Sequence, residues 1–171
     1  MKKRVLVDMD GVLADVYHQF IKYEERDSGT RIKIEESKGL DETIAFPNVD
    51  RHLHEHGFFR NLQVMEDSIE VMEYLNSKYE VFILSAAMEF PNSLREKYDW
   101  LAEYFPFITW EQIIFCGSKK AVTGDYMIDD YPKNLDTFQG EKLLFTQPHN
   151  QSVDNSDYRR IGSWKEIRAI L

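Results

Sequence analysis

The stretch that decides the fold reads Val5-Leu6-Val7-Asp8-Met9-Asp10-Gly11-Val12. A short apolar run near the N-terminus is typical of a strand that is buried on both faces of a parallel sheet. The glycine allows the chain to turn directly after the strand, so Asp8 and Asp10 emerge at its carboxyl end. Ligands of open parallel sheets bind at the carboxyl ends of the strands. The stretch therefore predicts a ligand site at these two carboxylates.

Similar apolar runs further along the chain predict the rest of the sheet. The predicted strands are Arg4–Asp8, Glu80–Ser85, Tyr126–Asp129 and Lys142–Thr146, with Gln112–Cys116 as a fifth. Helical patterns lie near residues 68–78, 94–104 and 164–170, and their starts carry the spacing of a capping box at Asp67/Glu70, Ser93/Glu96 and Ser163/Glu166. This alternation predicts an α/β fold, a doubly wound Rossmann-like parallel sheet with helices on both faces.

The chain of 171 residues fits a single domain. Residues from about 17 to 60 break the alternation, because this part is too long for one crossover helix and contains the polar stretch Glu24–Lys38 and the breaker Pro47/Asn48. We interpret it as a small helical cap inserted after the first strand, with the core formed by residues 1–16 and 61–171. Such a cap would cover the ligand site and exclude water. The alternative is a disordered surface insertion.

Charge and composition restrict the partners of the chain. The net charge of −9 opposes binding to long nucleic acids or anionic membranes, which need many lysines and arginines. No apolar stretch approaches the length of a membrane span. The single cysteine, Cys116, cannot form an internal disulfide, which favours an intracellular, cytoplasmic location. A small phosphorylated substrate remains possible where a metal ion and a few cations reverse the local charge. The oligomeric state stays open.

A second pair of carboxylates, Asp129 and Asp130, directly follows the apolar run at 126–128. Because strand ends of one parallel sheet meet at one edge, this pair is expected to lie beside Asp8 and Asp10. Oxygen ligands suit Mg²⁺, and without a cation four carboxylates would repel one another. One carboxylate could attack phosphorus while another acts as general acid and base. The alternative for Asp8 and Asp10 is a pair of solvated acids in a turn.

Two further residues could contact a phosphoryl group at this edge. Ser85 ends the strand at 80–85, and its hydroxyl could donate to a phosphoryl oxygen. Lys119, ten residues before Asp129, could offset phosphoryl charge. Lys120 competes with Lys119 for that role, and a solvated surface position is the alternative for either lysine.

The order of these motifs resembles the haloacid dehalogenase-like phosphatase superfamily: DxDGV, an apolar strand ending in Ser, a Lys, and a strand ending in Asp-Asp. Along nearly the whole chain, four segments resemble the 5'(3')-deoxyribonucleotidases: Asp8–Asp15, Gly57–Leu62, Glu96–Phe105 and Met127–Asp130. The resemblance implies a Rossmann-like core with a small helical cap, a Mg²⁺ cofactor, and hydrolysis of nucleoside monophosphates.

The resemblance also implies a role for each motif residue. Asp8 resembles the nucleophile and a metal ligand, and Asp10 the acid/base whose backbone carbonyl also meets the metal. Asp130 matches the third metal ligand, with Asp129 as a supporting acid. Ser85 and Lys119 take the places of the residues that bind the phosphate.

This sequence departs from the nucleotidases at two places. Val16 stands where they carry an aromatic ring for the base, and Ala86–Glu89 replaces a polar, basic segment. We therefore expect nucleoside monophosphates to be preferred over di- or triphosphates, with weak discrimination among bases. Other functions on the same scaffold are a phosphatase of another small metabolite such as a sugar phosphate, a phosphotransferase or mutase, and a non-catalytic phosphate-binding protein. Hydrolysis is favoured, because the sequence contains residues of all four motifs and Asp10 supplies the acid/base group that activates water.

Three other features are interpreted as structural. His52, His54 and His56 are predicted to be solvated rather than a transition-metal site. Cys116 is predicted to be a small buried apolar residue. The predicted core positions of the helix near 94–104 and its end are Tyr98, Trp100, Leu101, Tyr104 and Phe105.

Overall fold

The strands and helices are taken from a computed structural model, which describes residues 2–154 and 156–171. The strands are β1 Arg4–Val7, β2 Ala14–Asp15, β3 Gln63–Val64, β4 Glu80–Ser85, β5 Ile113–Phe115, β6 Tyr126–Asp129, β7 Glu141–Phe145 and β8 Arg159–Ile161. The helices are α1 Val16–Ser28, α2 Glu42–Ala45, α3 Val49–Leu53, α4 Ser68–Lys78, α5 Ser93–Tyr104, α6 Pro132–Leu135 and α7 Trp164–Ile170. Short 3-10 turns lie at Ile34–Ser37, Ala87–Glu89, Trp110–Gln112, Lys119–Ala121 and Pro148–Asn150.

Six parallel strands form the main sheet in the order β5-β4-β1-β6-β7-β8. Along the chain, β4 and β5 are added on one side of β1, and β6, β7 and β8 then follow on its other side. The order therefore reverses between β1 and β6, where doubly wound sheets bind ligands. The predicted fold class is confirmed. The prediction missed β8 and the two-stranded antiparallel ladder of β2 with β3, because these strands have only three or two residues each.

The three apolar residues of β1 are fully buried, and the strand divides the core into two clusters. Val5 and Val7 belong to the larger cluster, whereas Leu6 belongs to the smaller one on the other face. This alternation follows from the two-residue period of a strand. Helix tryptophans such as Trp100 and Trp164 fill the larger cluster. Both faces of β1 are thus covered, and the strand is rigidly held behind the acids that follow it.

The segment between β2 and β3, residues 16–62, is called the β2–β3 segment below. Its first helix begins where the Asp15 side chain accepts from His18 N at 2.9 Å, and it ends at Gly29 with a left-handed φ of 71°. The rings of Phe20, Phe46 and Phe58 are buried, and the centroid of the Phe20 ring lies 5.2 Å from that of Phe46 and 5.6 Å from that of Phe58. The segment therefore has an apolar core of its own, continuous with the main one.

Two of the three predicted capping boxes are wrong. Asp67 makes no capping bond, and Ser93 is the first helical residue, with its hydroxyl donating to Ala87 O at 3.3 Å. Glu96 instead accepts from three backbone N–H groups at the end of the β2–β3 segment: Gly57 (2.6 Å), Phe59 (3.1 Å) and Arg60 (3.0 Å). The third prediction holds in part, since the Ser163 side chain accepts from Glu166 N while Glu166 accepts from Gly162 N.

The predicted solvent exposure is wrong for three residues. His52 is fully buried rather than solvated, and its Nε2 lies 2.7 Å from Asp27 Oδ2. It faces inward because α3 packs on α1, which the polar sequence around it does not indicate. Tyr98 is 43% exposed, because the buried face of α5 runs through Trp100 and Leu101. Cys116 is half-buried, at the edge of the smaller cluster.

None of the helices in the described part of the chain is both long and apolar enough to span a membrane.

Candidate active site

The neighbouring strands β1 and β6 bring three carboxylates together at the carboxyl edge of the sheet. Asp8 follows β1, Asp129 ends β6, and Asp130 comes next. A backbone bond from Asp8 N to Ile128 O at 2.9 Å extends the ladder to this point. Ligand oxygens of the three acids lie within 4.8 Å of one another. The sheet thus places these predicted site residues in one cluster.

Lys119 lies inside this cluster. Its Nζ is 2.6 Å from Asp8 Oδ1 and 2.6 Å from Asp129 Oδ2, and the residue is 5% exposed. Lys120 is exposed, so of the two candidate lysines only Lys119 faces the acids. Asp129 also accepts from Tyr131 N at 2.9 Å and from Asn134 Nδ2 at 3.0 Å. Asp129 is therefore well supplied with donors, and it orients the ammonium toward Asp8.

Asp130 is buried with too few partners. Its Oδ1 has no hydrogen-bond donor among the described residues, and the residue is 2% exposed. Gly11, at a φ of +72°, lets the carboxylate approach so closely that a Cβ there would lie 2.1 Å from Asp130 Oδ2. Asn150 Nδ2 donates to the backbone carbonyl of Asp130 at 2.7 Å and fixes the loop. The backbone at Asp130 is thus fixed, while one oxygen of its buried carboxylate has no partner among the described residues.

Burial and mutual repulsion shift the pKa values of the cluster. Burial raises the pKa of Asp8 to about 7, although the Lys119 ammonium opposes the shift. Burial, followed by the nearby charges of Asp8 and Asp129, raises the pKa of Asp130 well above its ordinary value. Burial alone would lower the pKa of Lys119, but the carboxylates of Asp129 and Asp8 outweigh it and raise the pKa. The single positive charge of Lys119 does not neutralise the three carboxylates around it.

This arrangement fits a hard divalent cation. The unsatisfied Oδ1 of Asp130 and the carboxylate of Asp8 offer oxygen ligands, which Mg²⁺ prefers, and it needs only one or two protein carboxylates. A cation would also offset the mutual repulsion that adds to the effect of burial on the pKa values of both acids.

A second group of residues lies beside the acids. The predicted residues Asp10 and Ser85 are joined by Lys97, which forms an ion pair with Asp10 Oδ2 and donates to Ser85 Oγ at 3.1 Å. Ser85 is 1% exposed and Lys97 is 2% exposed. All six predicted site residues therefore line one region, and their chemical roles stay predictions.

Lys97 is the residue that the sequence reasoning missed. An indication was present, because α5 buries Ser93, Glu96, Lys97, Trp100 and Leu101, which recur at helical spacing on one face. A lysine on the buried face of a helix needs a carboxylate partner, and here the partner is at the site.

A cavity of about 380 Å³ opens above these residues. Its floor is formed by Asp8, Asp10, Ser85, Lys97, Lys119 and Asp130. Its apolar wall includes Val16, Phe20, Val49, Leu53, Phe59 and Phe90, and its charged residues outside the floor are Asp41, Glu42, Asp50, Glu89 and Lys133. The β2–β3 segment supplies most of both groups. A cavity of about 430 Å³ elsewhere, beside Met65 and Trp164, contains none of the predicted site residues.

Solved structures share this architecture. A haloacid dehalogenase-like hydrolase from Streptococcus pneumoniae matches 99% of this chain and 98% of its own, with a TM-score of 0.65 and 16% identity. A HAD-superfamily hydrolase from Geobacter sulfurreducens matches 100% of both chains, with a TM-score of 0.61 and 12% identity. At such identities the likeness concerns the fold, and it defines the chain as a protein of the haloacid dehalogenase-like fold.

The sequence comparison is more specific. The 5'(3')-deoxyribonucleotidases of Bacillus subtilis strain 168 and of Bacillus phage SPbeta are each 39% identical to it over 174 residues, which cover 100% of this chain and 99% of theirs. Over residues 2–171 the chain belongs to the family described as "5' nucleotidase, deoxy (Pyrimidine), cytosolic type C protein". The resemblance seen in the sequence is confirmed, as is the predicted enzyme class, a phosphoric monoester hydrolase of the 5'-nucleotidase type.

Proposed function

We propose that the protein is a Mg²⁺-dependent phosphomonoesterase that forms an aspartyl-phosphate intermediate and acts on deoxyribonucleoside monophosphates. The observation that carries the proposal is the placement of Asp8 in the cavity floor, with Lys119 Nζ at 2.6 Å and Asp10 lining the same cavity. A carboxylate nucleophile, a fixed cation and a second carboxylate are the groups that this chemistry needs.

The reaction has two steps. Asp8 attacks phosphorus, the bond from phosphorus to the ester oxygen breaks, and Asp10 donates a proton to the leaving oxygen. Asp10 then accepts a proton from water, whose oxygen attacks phosphorus, so inorganic phosphate leaves and the Asp8 carboxylate is restored. Lys119 and the Ser85 hydroxyl hold the phosphoryl oxygens during both steps.

Three oxygen groups in the cavity could hold the ion. Asp8, Asp130 and the backbone carbonyl of Asp10 would bind Mg²⁺, which offsets phosphoryl charge when bound. Among proteins of the same fold, a hydrolase from Bacillus subtilis with a TM-score of 0.60 and 12% identity was solved bound to magnesium. The unsatisfied oxygen of Asp130 supports the same assignment here.

The substrate proposal rests on the cavity and on the relatives. The names of the 39% identical relatives specify deoxyribonucleotides, and the apolar wall offers surface to a sugar and a base. Val16 lies in that wall, where it gives a base no aromatic face to stack on. Carboxylates such as Glu42 and Asp50 would repel additional phosphates. In this proposal the β2–β3 segment acts as the cap, and monophosphates are preferred with weak discrimination among bases.

A screen of phosphate esters tests the proposal. Phosphate release is measured with Mg²⁺ for dUMP, dGMP, a nucleoside triphosphate, 2-deoxyribose 5-phosphate and a phosphopeptide. We expect the highest kcat/KM for the monophosphates, and a loss of several orders of magnitude in Asp8→Asn, because an amide cannot attack phosphorus. Asp157→Asn makes the same chemical change at an exposed position and should leave turnover intact.

Two results would contradict the proposal. Activity above a few per cent of wild type in Asp8→Asn would exclude the covalent mechanism. A kcat/KM for 2-deoxyribose 5-phosphate at least about tenfold above every nucleotide would exclude the substrate class, while leaving the phosphatase chemistry intact.

A further inference from the structure

Lys97 has an environment that is unusual for a lysine. It is 2% exposed, and its ammonium meets three groups: the Asp10 carboxylate through Oδ2, Ser85 Oγ at 3.1 Å, and the ring of Phe59 at 4.7 Å from the centroid. A buried ammonium is costly unless it is paired and hydrogen-bonded. Asp10 is the carboxylate that pairs with it, so the two charges depend on each other.

The ion pair fixes one oxygen of Asp10 and leaves the other free. Oδ2 is occupied by Lys97, whereas Oδ1 is buried without a hydrogen-bond partner among the described residues. Asp10 and Lys97 both line the cavity in which the substrate is proposed to bind. A side chain that is anchored through one oxygen has a fixed orientation in the cavity.

We propose that Lys97 is a positioning residue for hydrolysis: its ammonium holds the Asp10 carboxyl group and the hydroxyl of Ser85, so that Asp10 keeps one orientation toward the leaving-group oxygen. The inference rests on the proposed function. In the first step the proton moves from the Asp10 carboxyl group to the ester oxygen while Lys97 keeps its contact with that group. In the second step the Asp10 carboxylate takes the proton from water. Displacing a catalytic group by about 1 Å can lower the rate about a hundredfold.

Two other roles for Lys97 make different predictions. If its ammonium bound a phosphoryl oxygen directly, removal would raise KM for every substrate. If it only stabilised the fold, removal would lower the melting temperature and affect all substrates equally. A positioning role affects the step that needs a proton, so the loss depends on the leaving group.

The experiment compares Lys97→Met, Lys97→Arg, Asp10→Asn and the double variant Asp10→Asn/Lys97→Met on two esters. p-Nitrophenyl phosphate has a good leaving group, and ethyl phosphate needs a proton for departure. We expect Lys97→Met to lower kcat about tenfold more for ethyl phosphate than for p-nitrophenyl phosphate, with Lys97→Arg restoring part of the loss. The double variant should be no more than about threefold slower than Asp10→Asn, because both changes remove one function.

Two controls distinguish a loss of folding from a loss of turnover. Lys120→Met, at an exposed position, should match wild type, and melting temperatures report folding of every variant. Equal losses on both esters, multiplicative losses in the double variant, or a change in KM alone would each overturn the inference. If wild type releases phosphate neither from dUMP nor from either ester, the proposed function fails and the inference fails with it; uniform losses with an active wild type refute the inference only.

Discussion

At the residue scale, Gly11 allows the two acidic strand ends to meet. Its backbone adopts a φ of +72°, and the place of its missing side chain is taken by the carboxylate of Asp130. Gln147 Nε2 donates to its carbonyl at 2.5 Å, so the turn is also held from behind. Glycine is thus required at this position both for its conformation and for the space it leaves.

Replacing Gly11 by Ala should damage both stability and catalysis. The left-handed backbone alone costs about 1–2 kcal/mol for a residue with a Cβ. The Cβ would in addition lie 2.1 Å from Asp130 Oδ2, so the acid must move. The control is Gly29→Ala, which has a φ of +71° and no atom within 4 Å of the new Cβ. Denaturant unfolding and phosphate release should show Gly11→Ala to be less stable than Gly29→Ala and at least about tenfold slower. Equal effects of the two changes would contradict the role given to Gly11.

At the element scale, α5 connects the β2–β3 segment to the site. Its Glu96 accepts from three N–H groups near Gly57, and Lys97, one residue later, reaches Asp10. One turn of one helix therefore anchors the end of the segment and orients a carboxylate in the cavity. The order of the segment and the geometry of the site are linked through this turn.

Glu96→Gln should lower the free energy of unfolding by about 2–3 kcal/mol, because an amide offers one acceptor oxygen and leaves buried N–H groups without a partner. Glu103→Gln, on the same helix, is the matched control. Glu103 pairs with Arg60 at the surface with side chains 46% and 37% exposed, where ion pairs contribute about 0–1 kcal/mol. Denaturant unfolding of both variants tests the difference, and similar losses would mean that the three bonds to Glu96 are not the anchor.

The same helix shows what could be predicted from the sequence. Helical periodicity placed α5 within one residue of its observed start, but the Ser93/Glu96 spacing indicated a capping box that does not form. A spacing along the chain cannot reveal that the carboxylate bonds to a segment 36 to 39 residues away. The burial of Lys97 and His52 was missed for the same reason, since their partners Asp10 and Asp27 come from other elements.

At the scale of the whole molecule, the sheet was predictable because most of its strands are apolar runs, and two of them, β1 and β6, lead directly into acids. The strand ends alone brought Asp8, Asp129 and Asp130 together, as expected from parallel topology. What the sequence could not give was the charge balance of the site. That balance depends on which lysine side chains point into the site. Lys119 and Lys120 are neighbours of the same residue type, yet Lys119 contacts Asp8 whereas Lys120 is exposed to solvent.

The charge balance predicts a thermal response to Mg²⁺. The ion should bind the folded state at the acid cluster and raise the melting temperature by about 5–10 °C at one hundred times Kd, from about 2.7 kcal/mol of binding free energy and the usual scaling for this size. EDTA should reverse the shift, and added NaCl at equal ionic strength should not reproduce it. Calorimetry of wild type and Asp130→Asn provides the check.

Asp130→Asn should lose most of the Mg²⁺ response. In EDTA it should melt above wild type, because burial and neighbouring acids disfavour a charge at this position. A wild-type melting temperature that is the same in Mg²⁺ and in EDTA would exclude the acid cluster as a metal site.

The pairing of β2 with β3 fixes the two ends of the β2–β3 segment. The antiparallel partners Ala14 with Val64 and Asp15 with Gln63 bring both ends of the β2–β3 segment side by side. Because the entropy of closing a loop grows slowly with its length, a longer segment between these fixed ends should cost the sheet little stability. A change of length in the segment would therefore alter what enters the cavity and leave the acids at the strand ends in place.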